Sequence, residues 1–234
     1  MQALPGYFRE IFETARSLKP QALVEFCPCG TSYSFFTMPH YNMSVASDPS
    51  SSFQVRSKGK SLKALMGDGV AYFGDHVELS DGANDFASTI GVGGVVGTQF
   101  VLPSLMHKRS KSDLTPAREK DFGKWLAIYA EKMLPKGQYQ GGLYDIGFDR
   151  PEAHAIRKGD NQYYGFFAKR WKGPIELRGL GNGSYLIRDY EHGRDLGLVT
   201  GPRAVLPVAF QGHLLLEALP HAVTATTAAL GESR

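Results

Sequence analysis

Asp48 closes the apolar run in "MSVASDPSSSFQVR", which spans Met43 to Arg56. A strand that stops on an aspartate, followed by Pro49 and three serines, allows two chemistries. The carboxylate can cap a helix opened by Pro49, accepting backbone N–H groups at the positive helix end. It can equally act as a general acid/base at the rim of a barrel. The two roles ask for opposite surroundings. A cap favours the charged carboxylate, whereas an acid working near neutral pH needs burial or a neighbouring negative charge to keep its proton.

Other side chains with chemical potential lie in the same half of the chain. Both cysteines, Cys27 and Cys29, sit in "CPCG", one residue apart. That spacing would strain a disulfide, and no further cysteine offers a partner. Packing is their default, and neither His40 nor His76 has a spacing that argues for a thiol–imidazole pair. His76 ends a strand among polar residues, either as a hydrogen-bonded histidine or as a pocket residue. Asp75, Glu78, Asp81 and Asp85 form an acidic group that misses the calcium-loop grammar and reads as a solvated loop, with Asp75 nearest the strand end. Arg56 lies eight residues beyond Asp48, on about the same helical face, where it can pair with a carboxylate near the site or stay exposed. No paired Cys/His spacing for zinc occurs. "GVGGVVG" at 91–97 has valine where a dinucleotide fingerprint needs glycine, so these glycines read as points of close strand approach.

The elements that must hold these residues alternate. Phe8, Ile11, Phe12, Ala15 and Leu18 recur at helical spacing and Pro20 stops them. Strands are expected at 21–27, 43–47, 69–79 and 95–103. Helices are expected from Pro49 to about Met66, over 81–91, and after Thr115–Pro116, where Trp125 belongs to the core face. That is the pattern of parallel βα units. From about 136–150 onward the segments 163–168, 173–180, 184–191, 196–201, 205–210 and 213–219 read as short antiparallel strands, with Trp171 exposed between two of them. The expected fold class is therefore α/β plus all-β: residues 1–138, residues 139–222, and a disordered tail at 223–234. A small parallel sheet could stand alone, but its strands want burial on both faces and its edges would be sticky. Half a (β/α) barrel of about four units explains the same pattern.

Composition excludes several partners. Of 234 residues, 42% are hydrophobic and 21% charged, and the formal charge is +3 from 26 basic and 23 acidic residues. So balanced a chain gives no electrostatic case for nucleic acid or membrane, and the short basic run at 107–111 reads as a solvated loop. No apolar run approaches the roughly 20 residues of a membrane span. The amphipathic start shows no signal peptide, and the lack of a disulfide framework favours a cytoplasmic location.

Taken in order, "VEFCPCG", "SVASDPSSSFQVR", "AYFGDHVELSD" and "GVGGVVGTQF" resemble the last four barrel strands of retaining α-galactosidases of glycoside hydrolase family 36. "IELRGLGNGSYLIRDYEHGRDLG" resembles the β-sandwich that follows them. The resemblance runs from about residue 7 to residue 219 and implies a (β/α)8 TIM-type barrel portion, an α-galactoside substrate and no metal or organic cofactor. Asp48 matches the family's general acid/base, although Pro49 replaces the usual asparagine. Glu25, Cys27 and Gly30 match the family's Glu-x-Cys-x-x-Gly against the sugar ring. His76 matches the family's strand-end histidine, with Asp75 in place of serine, and Asp75 and Arg56 join the expected substrate pocket. The family's nucleophile, an aspartate in a Lys-x-Asp setting, would precede residue 1. Retaining hydrolysis needs two carboxyl groups about 5–5.5 Å apart. The chain alone is thus expected to be incomplete, or else a non-catalytic carbohydrate-binding or self-associating module in which two copies cover each other's barrel edges.

Overall fold

Pro20 ends the first helix, α1 (Ala3–Leu18), as its position predicts. A computed structural model describes residues 3–28, 33–83, 85–100 and 112–221. Cys29, Gly30, residues 101–103 of the fourth expected strand, the basic run at 107–111 and the tail at 223–234 lie outside the described residues.

Among the described residues, four parallel strands follow in chain order: β1 (Glu25–Phe26), β2 (Met43–Val45), β3 (Ala71–His76) and β4 (Val95–Gly97). Their register sets Glu25 against Met43, Met43 against Ala71, and Phe73 against Val95. Helix α2 (Ser52–Met66) joins β2 to β3, and α3 (Phe86–Gly91) joins β3 to β4. The helix α4 (Pro116–Lys132) comes after β4, opened by Thr115, whose hydroxyl accepts the Arg118 N–H. Neighbouring strands are thus also consecutive, so the sheet winds in one direction. The glycines do bring its layers close. A Cβ on Gly97 would lie 2.3 Å from the Phe73 ring, and one on Gly91 2.8 Å from the Phe167 ring.

Six antiparallel strands follow among the described residues: β5 (Gln138–Tyr139), β6 (Glu152–Lys158), β7 (Asn161–Leu177), β8 (Ser184–Asp189), β9 (Arg194–Thr200) and β10 (Ala204–His221). They pair in the order β5-β6-β7-β10-β8-β9. Two of these elements correct the sequence expectation. The segments 163–168 and 173–180 fuse into β7, and 205–210 and 213–219 fuse into β10. Gly212, at φ +78, absorbs a register shift inside β10 rather than ending it. Strand β6, with neither a clean alternation nor a flanking glycine at its start, was not expected.

The period of two sorts the sheet's side chains. Ile156, Tyr163, Phe167 and Leu215 join Val55, Tyr72, Phe86, Ile90, Phe122 and Trp125 in one buried cluster that spans helices and both sheets. Tyr164, Phe166, Ile187, Leu214 and Leu216 face the opposite way into a second cluster. Trp171 packs on that second cluster instead of standing free. No described helix is long and apolar enough to cross a membrane.

Candidate active site

Parallel strands deliver their C-terminal ends to one edge of the sheet, and here that edge is strained. Ser47 (φ +52), Asp48 (φ +48) and Asp75 (φ +65) are three of the four non-glycine residues with left-handed backbone among those described. The fourth, Met133, merely ends α4. Each such residue costs of order 1–3 kcal/mol and persists only where its surroundings enforce it.

The enforcing contacts are visible. Asp75 is buried, and its Oδ2 accepts the Asp48 backbone N–H at 2.8 Å while Oδ1 accepts the His76 N–H at 2.8 Å. From α2, the Lys58 ammonium donates to the carbonyls of Ala46 (2.6 Å) and Ser47 (2.9 Å). The Tyr33 hydroxyl accepts the Val45 N–H at 2.6 Å and reaches the Phe26 and Val45 carbonyls at 3.0 and 2.9 Å, bridging β1 to β2. Burial pushes its ionisation up, so it stays a hydroxyl. A carboxylate thus holds the amide side of the Ser47–Asp48 turn and an ammonium the carbonyl side.

Asp48 itself is exposed at this edge. It is not the helix cap. Helix α2 starts at Ser52, and the Ser51 hydroxyl accepts the Gln54 N–H at 3.2 Å, so capping falls to Ser51 and frees Asp48. Cys27 is exposed, with its Sγ 4.0 Å from Ser47 Oγ. The His76 ring stands edge-on to Phe73, with Nε2 3.9 Å from Asp75 Oδ1. Its Nδ1 is buried with no hydrogen-bond partner among the described residues. Glu25 joins the group. Its carboxyl is pushed above the usual range by burial and by Asp75, with His76 acting the other way. Cys27, Asp48, Asp75 and His76 therefore lie at or just past the ends of β1, β2 and β3.

No family model matches the chain. It is 31% identical over 220 residues to an A type blood α-D-galactosamine galactosaminidase of Flavonifractor plautii, a match covering 91% of this chain and 19% of that protein. The chain is a relative of galactosidase-type glycoside hydrolases. It spans about a fifth of the curated relative it matches. The fold is similar to that of a GH27 β-L-arabinopyranosidase of Geobacillus stearothermophilus, at 13% identity and a TM-score of 0.59, covering 93% of this chain and 55% of the other. It is also similar to a crystal structure described as a putative α-galactosidase from Bacteroides fragilis, at 9% identity and a TM-score of 0.53, covering 90% and 50%. An Anoxybacillus α-amylase shares it too, at 11% identity and a TM-score of 0.51, covering 94% and 57%. The fold alone therefore does not choose a sugar.

Not every expected site residue joins the strand-end group. Arg56 is buried, and it forks onto Glu152 of β6 (Nε to Oε1 2.6 Å, Nη2 to Oε2 3.0 Å), donates to Ser88 Oγ at 2.7 Å and lies 4.2 Å above the Phe167 ring. With each guanidinium nitrogen bonded, two to Glu152 on the antiparallel sheet and one to Ser88 on α3, it is a structural tie and not a pocket residue. Glu152 continues inward to His154 Nε2 at 2.9 Å, and His154 Nδ1 meets the Tyr139 hydroxyl at 2.6 Å. Burial keeps Tyr139 protonated, so it donates to Nδ1, and His154 donates from Nε2 to Glu152 as a neutral imidazole. The acidic group is also not a solvated loop. Glu78 is buried beside Arg118 at 3.7 Å, Asp81 accepts the Ser52 N–H, and Asp85 caps α3. Among the described residues no three His, Cys, Asp or Glu side chains gather to hold a metal. Lys58 and Tyr33 were missed in the sequence because their bonds go to backbone atoms, which leave no trace in residue spacing.

Proposed function

We propose that this chain carries the acid/base half of a retaining α-galactosidase-type site, with Asp48 as proton donor. Residues 1–138 supply about four units of a (β/α)8 barrel, and residues 139–222 form the β-sandwich behind them. Asp48 protonates the departing glycosidic oxygen and then takes a proton from the attacking water. Cys27 and His76 face the sugar, as does Gly30 on the strength of the resemblance alone. Asp75 acts through the Asp48 backbone. The attacking carboxylate comes from outside these 234 residues. No metal or organic cofactor takes part.

One observation carries this reading: the Ser47–Asp48 turn just past β2 and Asp75 near the end of β3 all have left-handed, non-glycine backbone, Asp48 and Asp75 are tied together, and Asp48 is left exposed. Backbone strain of that kind gathers where a side chain must be presented. The test is a titration of isotope-labelled chain with D-galactose, followed by amide NMR. Saturable shifts at Cys27, Ser47, Asp48 and His76 are expected. Shifts confined to other parts of the molecule overturn the assignment.

A second reading is favoured by the exposed stripe Leu4, Tyr7, Ile11 and Leu18 on α1, beside the edge strand β1. Such a stripe suits self-association that covers an open sheet edge. Sedimentation would show a concentration-dependent dimer, lost in an Ile11→Lys variant.

A further inference from the structure

The peptide unit between Ser47 and Asp48 is held at both ends by opposite charges. Its N–H donates to Asp75 Oδ2 at 2.8 Å, and its carbonyl oxygen accepts from the Lys58 ammonium at 2.9 Å. The same ammonium donates to the carbonyl of the preceding peptide, at Ala46, at 2.6 Å. A peptide dipole is positive at its N–H and negative at its oxygen, so here it lies along the field from ammonium to carboxylate. Turning this peptide over would set the N–H against the ammonium and the oxygen against the carboxylate, with both bonds lost.

The backbone needs such a hold. Ser47 and Asp48 are left-handed at φ +52 and +48, and neither is glycine. Pro49 adds to the cost, because a residue before proline is pushed toward extended backbone. Turning the peptide changes ψ of Ser47 and φ of Asp48 together, and so redirects the Asp48 side chain. Lys58 stands on a fixed base. Its helix α2 lies against β3 at Gly59, where a Cβ would come within 2.7 Å of the Tyr72 ring, and the Tyr72 hydroxyl donates to the Val55 carbonyl at 2.7 Å. Lys60, on the same helix, instead sends its ammonium to the carbonyls of Gly141 and Tyr144, ahead of β6.

We propose that Lys58 is a positioning residue for the acid: opposite Asp75, it locks the Ser47–Asp48 peptide in the orientation that presents the Asp48 carboxyl to the leaving oxygen. This rests on the reading of Asp48 as proton donor.

The test compares kcat on phenyl and 2,4-dinitrophenyl α-D-galactosides, with formate as the attacking carboxylate. Lys58→Met keeps most of the side chain's length and removes both bonds. It should slow the phenyl substrate about 10–100-fold, the scale on which a displaced catalytic group loses rate, and leave the dinitrophenyl one within about twofold. Lys60→Met, which loosens the same helix through bonds that go elsewhere, should show no such selectivity. NMR of the labelled chain needs no turnover: the Asp48 amide–Hα coupling should report left-handed backbone in the wild type and its loss in Lys58→Met. Should Lys58→Met fail to fold, the Lys58 Nζ resonance of the wild type decides, since an ammonium locked on two carbonyls exchanges its protons slowly and a free one rapidly. Equal losses on both substrates in Lys58→Met, the same selectivity in Lys60→Met, an unmoved Asp48 coupling or a rapidly exchanging ammonium each overturn the proposal. If Asp48→Asn discriminates between the substrates and Lys58→Met does not, this proposal alone fails. If Asp48→Asn does not discriminate, or the wild type shows no turnover, the catalytic reading fails and takes this one with it.

Discussion

Replacing Asp75 perturbs a side chain that joins the end of β2 to β3 at the candidate site. Its two oxygens accept the Asp48 and His76 amides at 2.8 Å each. Hydrogen bonds to a charged acceptor contribute about 1.5–3 kcal/mol apiece, so Asp75→Ala forfeits roughly 3–6 kcal/mol. That is a large part of the ~5–15 kcal/mol by which domains are stable. Asp75→Asn keeps one acceptor and tolerates the left-handed backbone, and should lose about half as much. Released from Asp75, the Ser47–Asp48 turn is expected to relax out of its left-handed conformation. Urea unfolding measures the first effect and the Asp48 amide resonance the second. If Asp75→Ala costs less than ~1 kcal/mol and leaves the Asp48 amide in place, the strain is not held by this carboxylate and its positioning role fails.

Arg56→Ala strands Glu152 beside a buried imidazole and should cost about 3–5 kcal/mol in urea, whereas an exposed Arg would cost almost nothing. Acid should unfold the protein through the same tie. Burial works against the charge on Glu152, but bonds from His154 and Arg56 prevail and hold it at about 2; Glu191 is held at about 2 in the same way by His213 and Lys124 against its burial. Both folded values lie below the unfolded carboxylate, so the stabilisation is complete above about pH 4.5 and is lost as pH falls toward 2. After solvent screening this is about 1–3 kcal/mol for each group, and Glu152→Gln should flatten the acid limb measured by circular dichroism. Ser51→Ala should cost about 1 kcal/mol in thermal unfolding while Asp48→Ala leaves α2 intact, the reverse of what a cap at Asp48 requires.

Local pattern made much of the fold legible. Each of the four parallel strands falls inside its expected segment, α2 ends at Met66 as expected, and the glycines of 91–97 do admit close packing. Strand β2 stops at Val45, short of its expected end, because Ser47 and Asp48 leave extended geometry to form the strained turn. What stayed hidden depends on partners distant in sequence. Arg56 meets Glu152 across 96 residues, and nothing near Arg56 announces it. Gly212 reads as a break in sequence yet serves as a bulge, since β7 supplies a partner on both sides of it. Asp48 was placed at the right strand end, but its freedom from capping followed from Ser51, a competitor only three residues away.

The most direct test asks whether Asp48 hands a proton to a leaving group. Formate can serve as the attacking carboxylate that the proposed site requires, with turnover compared on phenyl and 2,4-dinitrophenyl α-D-galactosides. Phenol needs protonation to depart and dinitrophenol does not. Asp48→Asn, which tolerates the same backbone, should slow the phenyl substrate by about 10²–10⁴-fold and barely touch the dinitrophenyl one. An equal effect on both substrates, or none on either, contradicts the assignment of Asp48 as the acid.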